Sequence, residues 1–472
     1  MFEKRRLHPI AILFNLFQLI RHSLFIIVVS VVTLQGKPLF YFILVGSGIL
    51  ILFLVISFLL WYRMTYQVVD DEVRIEHGIF VRKQRFISKN RIQSIDLTAS
   101  VIHRLFNLVK VEIETAGSGE GAEASLRAVT RSQGEQLRKT LKLSSEPAHT
   151  SDERLVDDYP SFRTSFKRLF VAGSTSGSIG VMLTILLIGF SEVEQYIPRQ
   201  FYDHTLEYLI GLSIVIIIGL VFVVLFILWL LGIAGTMIKY GHFTITKRED
   251  ELFITRGLLE KKQLTIPLRR IQAVGIEESI IRQPLGYVTV IAVVAGGAGE
   301  DGGFPVLFPI MKQTEVEKFL QTMLPHYAQV PERLTPLPKR SRKFYILRSL
   351  VPVVIGAIGI MYFFPQFSWA LFILLIISIS LGVLRHYDGG YHIENKRLTI
   401  RFRKFIGRTT MLIDHRRVQA CEIRQHKIQM KQKIATLQIS IIGSLGAGTH
   451  YQLKDMREKD AVHVAQWFSY RT

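Results

Sequence analysis

The side chains best placed to do chemistry are three pairs of hydrogen-bond donors: Arg91 and Gln93, Arg270 and Gln272, Arg417 and Gln419. Residues two apart on a strand share a face, so each guanidinium and amide can converge on one acceptor: a phosphate, a carboxylate or a backbone carbonyl. Two roles fit, contact with a lipid headgroup or partner and satisfaction of carbonyls at a strand start. A second set is purely basic. Lys339, Arg340, Arg342 and Lys343, together with Arg401, Arg403, Lys404, Arg408, Arg416 and Arg417, are expected to face anionic lipid. Each would contribute roughly 1 kcal/mol if close to the surface. A solvated basic face tethered near a membrane is the competing role.

Other chemistry is sparse. Glycine-rich connections at 118–123, 297–303 and 444–449 could cradle phosphate. None carries a Gly-Lys-Ser/Thr ending or directly opens a helix, and hairpin turns account for them. The histidines include His8, His22, His386 and His392, yet no pair stands at metal-ligand spacing with an acidic partner, so neither metal nor cofactor is expected. The single cysteine, Cys421, has His415 and His426 nearby but no recognisable catalytic motif. No serine sits in a nucleophile elbow. A buried structural thiol is the expected role, and one cysteine excludes an intrachain disulfide. The chain reads as non-enzymatic.

The Arg-x-Gln pairs head a 27-residue stretch that occurs three times without a gap, at Arg91 to Gly117, Arg270 to Gly296 and Arg417 to Gly443. Each copy opens Arg-Ile/Val-Gln, has Ile at its twelfth position (Ile102, Ile281, Ile428) and ends on Gly after an alternating apolar strand. Such a spacing, held three times, marks an internal repeat. The elements around it divide sharply by polarity. With 472 residues, 49% hydrophobic content and a mean hydropathy of +0.29, the chain is too apolar for an ordinary soluble enzyme; with 20% charged residues it is too polar to lie wholly in a membrane. A net charge of +20 points to nucleic acid or the anionic inner face of a membrane, and the apolar runs decide for the membrane.

Those runs predict three helical hairpins, hence six spans. Leu7 to Ile20, interrupted by Asn15 and Gln18, reads as an interfacial helix passing into a first span at His22 to Gly36. Leu39 to Tyr62 supplies the second. Leu169 to Ser191 and Tyr208 to Ile238 form the second pair, and Ser349 to Leu384, broken at Pro365 and Gln366, the third. The small residues Gly173, Ser174, Thr175, Ser176, Gly177, Ser178 and Gly180 suit close helix packing better than a pore. Positive charge gathers at one end of every hairpin: Arg5, Arg6 and Arg63; Arg163, Lys167, Arg168 and Lys239; Lys339, Arg340, Arg342, Lys343, Arg348 and Arg385. By the positive-inside rule both termini and all polar units face the cytoplasm. The N-terminus carries no signal-peptide cleavage pattern and is expected to remain in the mature chain.

Three polar units alternate with the hairpins. Each begins with an antiparallel strand pair, as at Glu72 to Phe86 and Glu251 to Ile266, with Gly78, Gly257 and Lys404 in equivalent turns. Each ends in a short amphipathic helix, near Gln133 to Leu143, Glu315 to Leu324 and Asp460 to Phe468, so a small barrel or split-barrel sandwich is expected. The expected division is an interfacial helix and first hairpin at 1–63, a barrel at 64–150, linker and hairpin at 151–239, a barrel at 240–330, basic linker and hairpin at 331–385, and a barrel at 386–472. Hairpins alternating with units that open Arg-Ile-Gln and close a strand on Gly resemble the bacterial pleckstrin-homology membrane-flanked family, in its large three-domain form. The resemblance implies a membrane α plus β fold: three transmembrane hairpins alternating with three PH-like split β-barrels, each plugged by its C-terminal helix. It also implies a smaller one-domain relative as partner. Fold alone implies no activity.

The function expected is a non-enzymatic membrane scaffold that presents three cytoplasmic PH-like units to anionic lipid or a membrane partner, in envelope maintenance or protection from membrane-active compounds. The third unit is the most basic, with 16 Lys+Arg against 7 Asp+Glu over 386–472. A transporter or channel component is the competing class, disfavoured because no Asp, Glu or Lys lies mid-span. A lipid-acting enzyme would need an acid, base or nucleophile that the spacing does not supply. Nucleic acid is not an expected partner, since no helix-turn-helix or aromatic-interleaved RNA motif accompanies the charge.

Overall fold

A computed structural model of the chain describes residues 4–23, 39–69, 72–115, 124–142, 159–177, 214–296, 304–363, 365, 368–443 and 448–469. The three repeats run through the same series of elements, except that the short helix after the fifth strand of the first and third is replaced by turns in the second. The first comprises β1 (Arg5–Arg6), α1 (Ala11–His22), α2 (Leu39–Arg63), β2 (Thr65–Val69), β3 (Glu72–His77), β4 (Lys83–Ser88), β5 (Ile92–Ala99), α3 (Val101–Leu105), β6 (Leu108–Thr115), β7 (Ala124–Thr130) and α4 (Arg131–Lys142). The second comprises β8 (Ser161–Arg163), α5 (Phe166–Ser174), α6 (Ile214–Tyr240), β9 (Thr244–Arg248), β10 (Glu251–Arg256), β11 (Lys261–Pro267), β12 (Ile271–Glu278), β13 (Tyr287–Val294), β14 (Val306–Lys312) and α7 (Val316–Met323). The third comprises β15 (Thr335–Pro336), α8 (Arg342–Phe363), α9 (Ser368–Asp388), β16 (Gly390–Glu394), β17 (Arg397–Lys404), β18 (Gly407–Asp414), β19 (Val418–Arg424), α10 (Lys427–Lys431), β20 (Ile434–Ile442), β21 (Gly448–Arg457) and α11 (Glu458–Ser469).

Among the described residues, four helices are long and apolar enough to cross a membrane: Ile43–Arg63, Val221–Tyr240, Lys339–Tyr362 and Ser368–Asp388. Their side chains stay largely uncovered by protein, as lipid-facing helices must. The expected span at His22 to Gly36, and that at Leu169 to Ser191 beyond its first residues, lie outside the described residues. The third hairpin is described on both sides: α8 and α9 pack along one another, and a Cβ at Gly382 would stand 2.7 Å from Ile346 Cα. Gly173 approaches α6 as closely, 2.8 Å from Ile233 Cα, which is the close packing expected of that small-residue run.

A short strand precedes each apolar segment and pairs with the strand that follows it: Arg5 opposite Tyr66, Ser161 opposite Thr246, Thr335 opposite Tyr391. The two ends of the membrane segment are thereby stapled together by backbone hydrogen bonds.

The chain divides into two compact units. The first holds residues 1–159 with 253–255 and 259–267; the second holds the remainder. In the first, β1 to β4 form one antiparallel sheet, and β7, β6 and β5 form another that continues into β11. Between them lie Val73, Ile75, Ile95, Val111, Ile113 and Leu126, all under 5% exposed, and α4 closes the core with Leu137 and Leu141, one turn apart. In the second unit, β14, β13, β12, β18, β17, β16 and β15 form a seven-stranded sheet, and β19, β20 and β21 a separate one. Leu398, Ile400, Met411, Leu437 and Ile439 fill the space between these two sheets, with Ala461 and Val464 of α11. Phe162, Phe243, Phe308 and Phe319 build a separate aromatic core with centroid spacings of 5.1 to 5.6 Å.

The sheets do not stay within repeats. β5 of the first repeat pairs with β11 of the second, Leu97 opposite Gln263 and Ala99 opposite Lys261. β12 of the second pairs with β18 of the third over six residues, from Ala273 opposite Ile413 to Glu278 opposite Arg408. The first and second repeats each lend their fifth strand to the third polar strand of the next.

Candidate functional site

Each Arg-x-Gln motif follows a single 3-10 turn, at Lys89–Arg91, Leu268–Arg270 and His415–Arg417, and opens a strand. In the second repeat Arg270 donates to Ala295 O through Nε and Nη2, at 2.9 and 2.6 Å. Gln272, 3% exposed, donates to Arg270 O at 3.0 Å. In the third, Arg417 Nη2 donates to Arg269 O at 2.7 Å, so the motif of one repeat reaches the turn that carries the motif of the one before. Arg91 and Gln419 are exposed. The side chain of Gln93 lies outside the described residues. In two repeats, then, the arginine donates to backbone carbonyls, one just past the end of β13 and one in the preceding repeat's 3-10 turn.

The basic residues separate into two groups. Lys339 and Arg340 form the turn entering α8, and Arg342 and Lys343 its first turn; all four are exposed at the end of a membrane helix. Lys404 is exposed as well. Arg416 is exposed too, whereas Arg401, Arg403 and Arg408 turn inward. Arg403 has a side chain only 1% exposed, donates to Asp388 Oδ2 at 2.6 Å and to Gln283 Oε1 at 2.9 Å, and so forms an internal ion pair in place of the expected lipid contact. Arg408 grips Glu278, itself 4% exposed, through two nitrogens, and lies 3.5 Å from Asp388. Arg401 donates to Thr410 Oγ1 at 3.0 Å. The cause is local: a buried carboxylate needs a charged partner, and Asp388 ends a membrane helix beside β17 and β18. Arg282, which sequence reasoning missed, does similar work by donating to Thr175 Oγ1, Ala172 O and Thr289 Oγ1. Cys421 is half-buried, and burial pushes its thiol up to about 11, which keeps it a poor nucleophile.

A further feature recurs in all three repeats. The turns β3–β4, β10–β11 and β17–β18 carry paired apolar residues where turns are ordinarily polar: Ile79 and Phe80, Leu258 and Leu259, Phe405 and Ile406. Phe80 is 99% exposed, Phe405 76% and Leu259 51%. Backbone strain is accepted to form these tips. Gly78 and Gly257 sit at φ +111° and +104°, and the third repeat, without glycine, puts Phe405 itself at φ +51°. The tips lie at the ends of membrane helices. Leu258 N donates to Ile238 O at 3.0 Å and Gly257 N to Gly241 O at 2.7 Å, both beside the end of α6. Arg385 of α9 donates to Phe405 O at 3.2 Å, and β3 packs against α2. The signal was present in the sequence as apolar pairs inside turns.

The Bacterial PH domain model matches residues 17–144, 208–325 and 347–472. The chain is also 35% identical, over its whole length and 99% of the other, to the UPF0699 transmembrane protein YdbT of Bacillus subtilis (strain 168). Three matched segments falling on three repeats of hairpin and sheets, with apolar helices fit to cross a membrane, lead to one conclusion: the chain is a transmembrane member of the Bacterial PH domain family.

Proposed function

We propose that the protein is a non-enzymatic membrane scaffold whose three PH-like units hang from six spans on the cytoplasmic face and rest on the lipid surface. The observation that carries this is the set of apolar hairpin tips beside membrane-helix ends. Full burial of a Leu, Ile or Phe side chain is worth about 1.5–3 kcal/mol, so six such residues dipping partway into the interface would contribute on the order of 5 kcal/mol. The exposed Lys339, Arg340, Arg342 and Lys343 add a comparable electrostatic term toward anionic lipid, roughly 1 kcal/mol each. The lipid bilayer itself is thus the first partner, and a one-domain relative is the suited kind of protein partner.

A polarity-sensitive NBD fluorophore on a cysteine introduced by Phe80→Cys or Phe405→Cys, in a Cys421→Ser background, reads this directly in reconstituted liposomes. The expected result is a blue-shifted emission quenched by spin-labelled lipid and unchanged in 1 M salt, since apolar insertion is not screened. Emission typical of water, without lipid quenching, contradicts lipid contact at the tips.

A further inference from the structure

The two inter-repeat junctions are built from the same pair of strands, and one of each pair is left over at the ends of the chain. The third polar strand is covered in the second and third repeats, as β11 and β18, but in the first repeat β4 is the edge of its sheet. The fifth strand is covered in the first and second repeats, as β5 and β12, but in the third β19 is an edge. Among the described residues no strand pairs with the outer side of either. Burial follows the same logic. All but one residue of β12 are buried, whereas Gln419, Ala420, Glu422 and Arg424 of β19 are exposed, and so are Lys83 to Phe86 of β4. An edge of this kind is a template for another chain. Lys83 and Arg85 are the charges that usually guard such an edge, but Phe86 beside them is 54% exposed.

We propose that β4 of one copy of this chain pairs antiparallel with β19 of a second copy, so that copies join head to tail and repeat between molecules the junction that exists twice within one. The register follows from the internal junctions. In the second, Ala273, three residues after Arg270, faces Ile413, four before Arg417. In the first, Leu97, six after Arg91, faces Gln263, seven before Arg270. Both rules put Ile87 opposite Ala420, Phe86 opposite Cys421, Arg85 opposite Glu422 and Gln84 opposite Ile423. Arg85 meeting Glu422 is a complementary pair on facing positions. The first junction supplies a second precedent: Asp96, at the position of Glu422, accepts from Thr265 N at 3.2 Å, and the matching donor on β4 is Phe86 N. Glu422 is held meanwhile by Arg424 on the solvent face, at 2.7 and 2.8 Å, an exposed pair that is readily exchanged. Because the two surfaces differ, the contact is heterologous and adds copies in one direction.

Short-span thiol cross-linking of full-length protein in liposomes tests this, using Arg85→Cys and Glu422→Cys separately in a Cys421→Ser background. Mixing the two variants should give a cross-linked species of twice the chain mass that neither gives alone, and a chain carrying both cysteines should give a ladder. Arg416→Cys in place of Glu422→Cys, about six residues out of register, should lose most of the product. Equal product from Arg85→Cys alone would mean that β4 pairs with itself. A link confined to single chains in the double variant would mean that β4 and β19 close on each other. Either result, or no mixed product, overturns the proposal.

Discussion

At the scale of single residues, the charged side chains divide between those that meet solvent or lipid and those consumed inside the fold. A list of basic residues cannot make that division, because it depends on where carboxylates end up. Arg403 and Arg408 were legible as charges, but the half-buried Asp388 and the buried Glu278 that claim them lie 15 and 130 residues away along the chain. His103 is the residue whose environment is most open to test. It is 7% exposed, bonded through Nδ1 to Ser100 Oγ and through Nε2 to Arg127 O, and stacked on Phe14 at 4.1 Å. Burial, the largest influence on it, holds its pKa below the ordinary imidazole range. The unfolded chain therefore takes up the proton first on acidification. The stability that the neutral ring contributes is complete above the unfolded value of about 6.5 and is lost as pH falls toward the depressed folded one. The protection factors of the β7 amides, that is exchange corrected for its intrinsic pH dependence, should fall between pH 7.5 and 5.5, and His103→Gln should make that fall shallower. An unchanged pH profile in the variant would mean that other groups carry it.

Most individual elements could be read directly from local patterns. Alternation in Glu72 to Phe86 and Glu251 to Ile266 gave the hairpins β3–β4 and β10–β11, and the amphipathic C-terminal stretches became α4, α7 and α11. Uncharged runs gave the long helices for the same reason, since composition alone decides whether a helix can lie in lipid. What local patterns hid was how the strands join. β5, β12 and β19 carry similar sequences, yet two are covered by the following repeat and one is not; pairing between distant edges leaves little local trace. At Gly275 of β12 a Cβ would fall 2.7 Å from Ile291 Cγ1 and 2.9 Å from Met411 Sδ, but this is no general mark of a covered strand, because β5, covered as well, holds Asp96 in that place. Helix packing in the third hairpin is similarly tight. Gly382→Val should destabilise it by about 1–3 kcal/mol through overpacking against Ile346, visible as a lower thermal midpoint in detergent. A midpoint within error of the parent would show that α8 and α9 can separate without cost.

At the scale of the molecule, each repeat pairs a short strand before its apolar segment with the strand after it and puts an apolar tip beside a membrane-helix end, an arrangement suited to holding the soluble part close to one face of the bilayer. The net charge of +20 and the positive flanks of every hairpin favour the cytoplasmic face. Three tips on one face would let the polar units act as a single platform, whereas a tip on the opposite face would break it. Single cysteines at Phe80, Leu259 and Phe405, in a Cys421→Ser background, can be labelled with a membrane-impermeant maleimide in intact cells and again in inside-out vesicles. All three should resist labelling in cells and react in vesicles once detergent lifts the tips from lipid; labelling of any one of them in intact cells would contradict the shared cytoplasmic face.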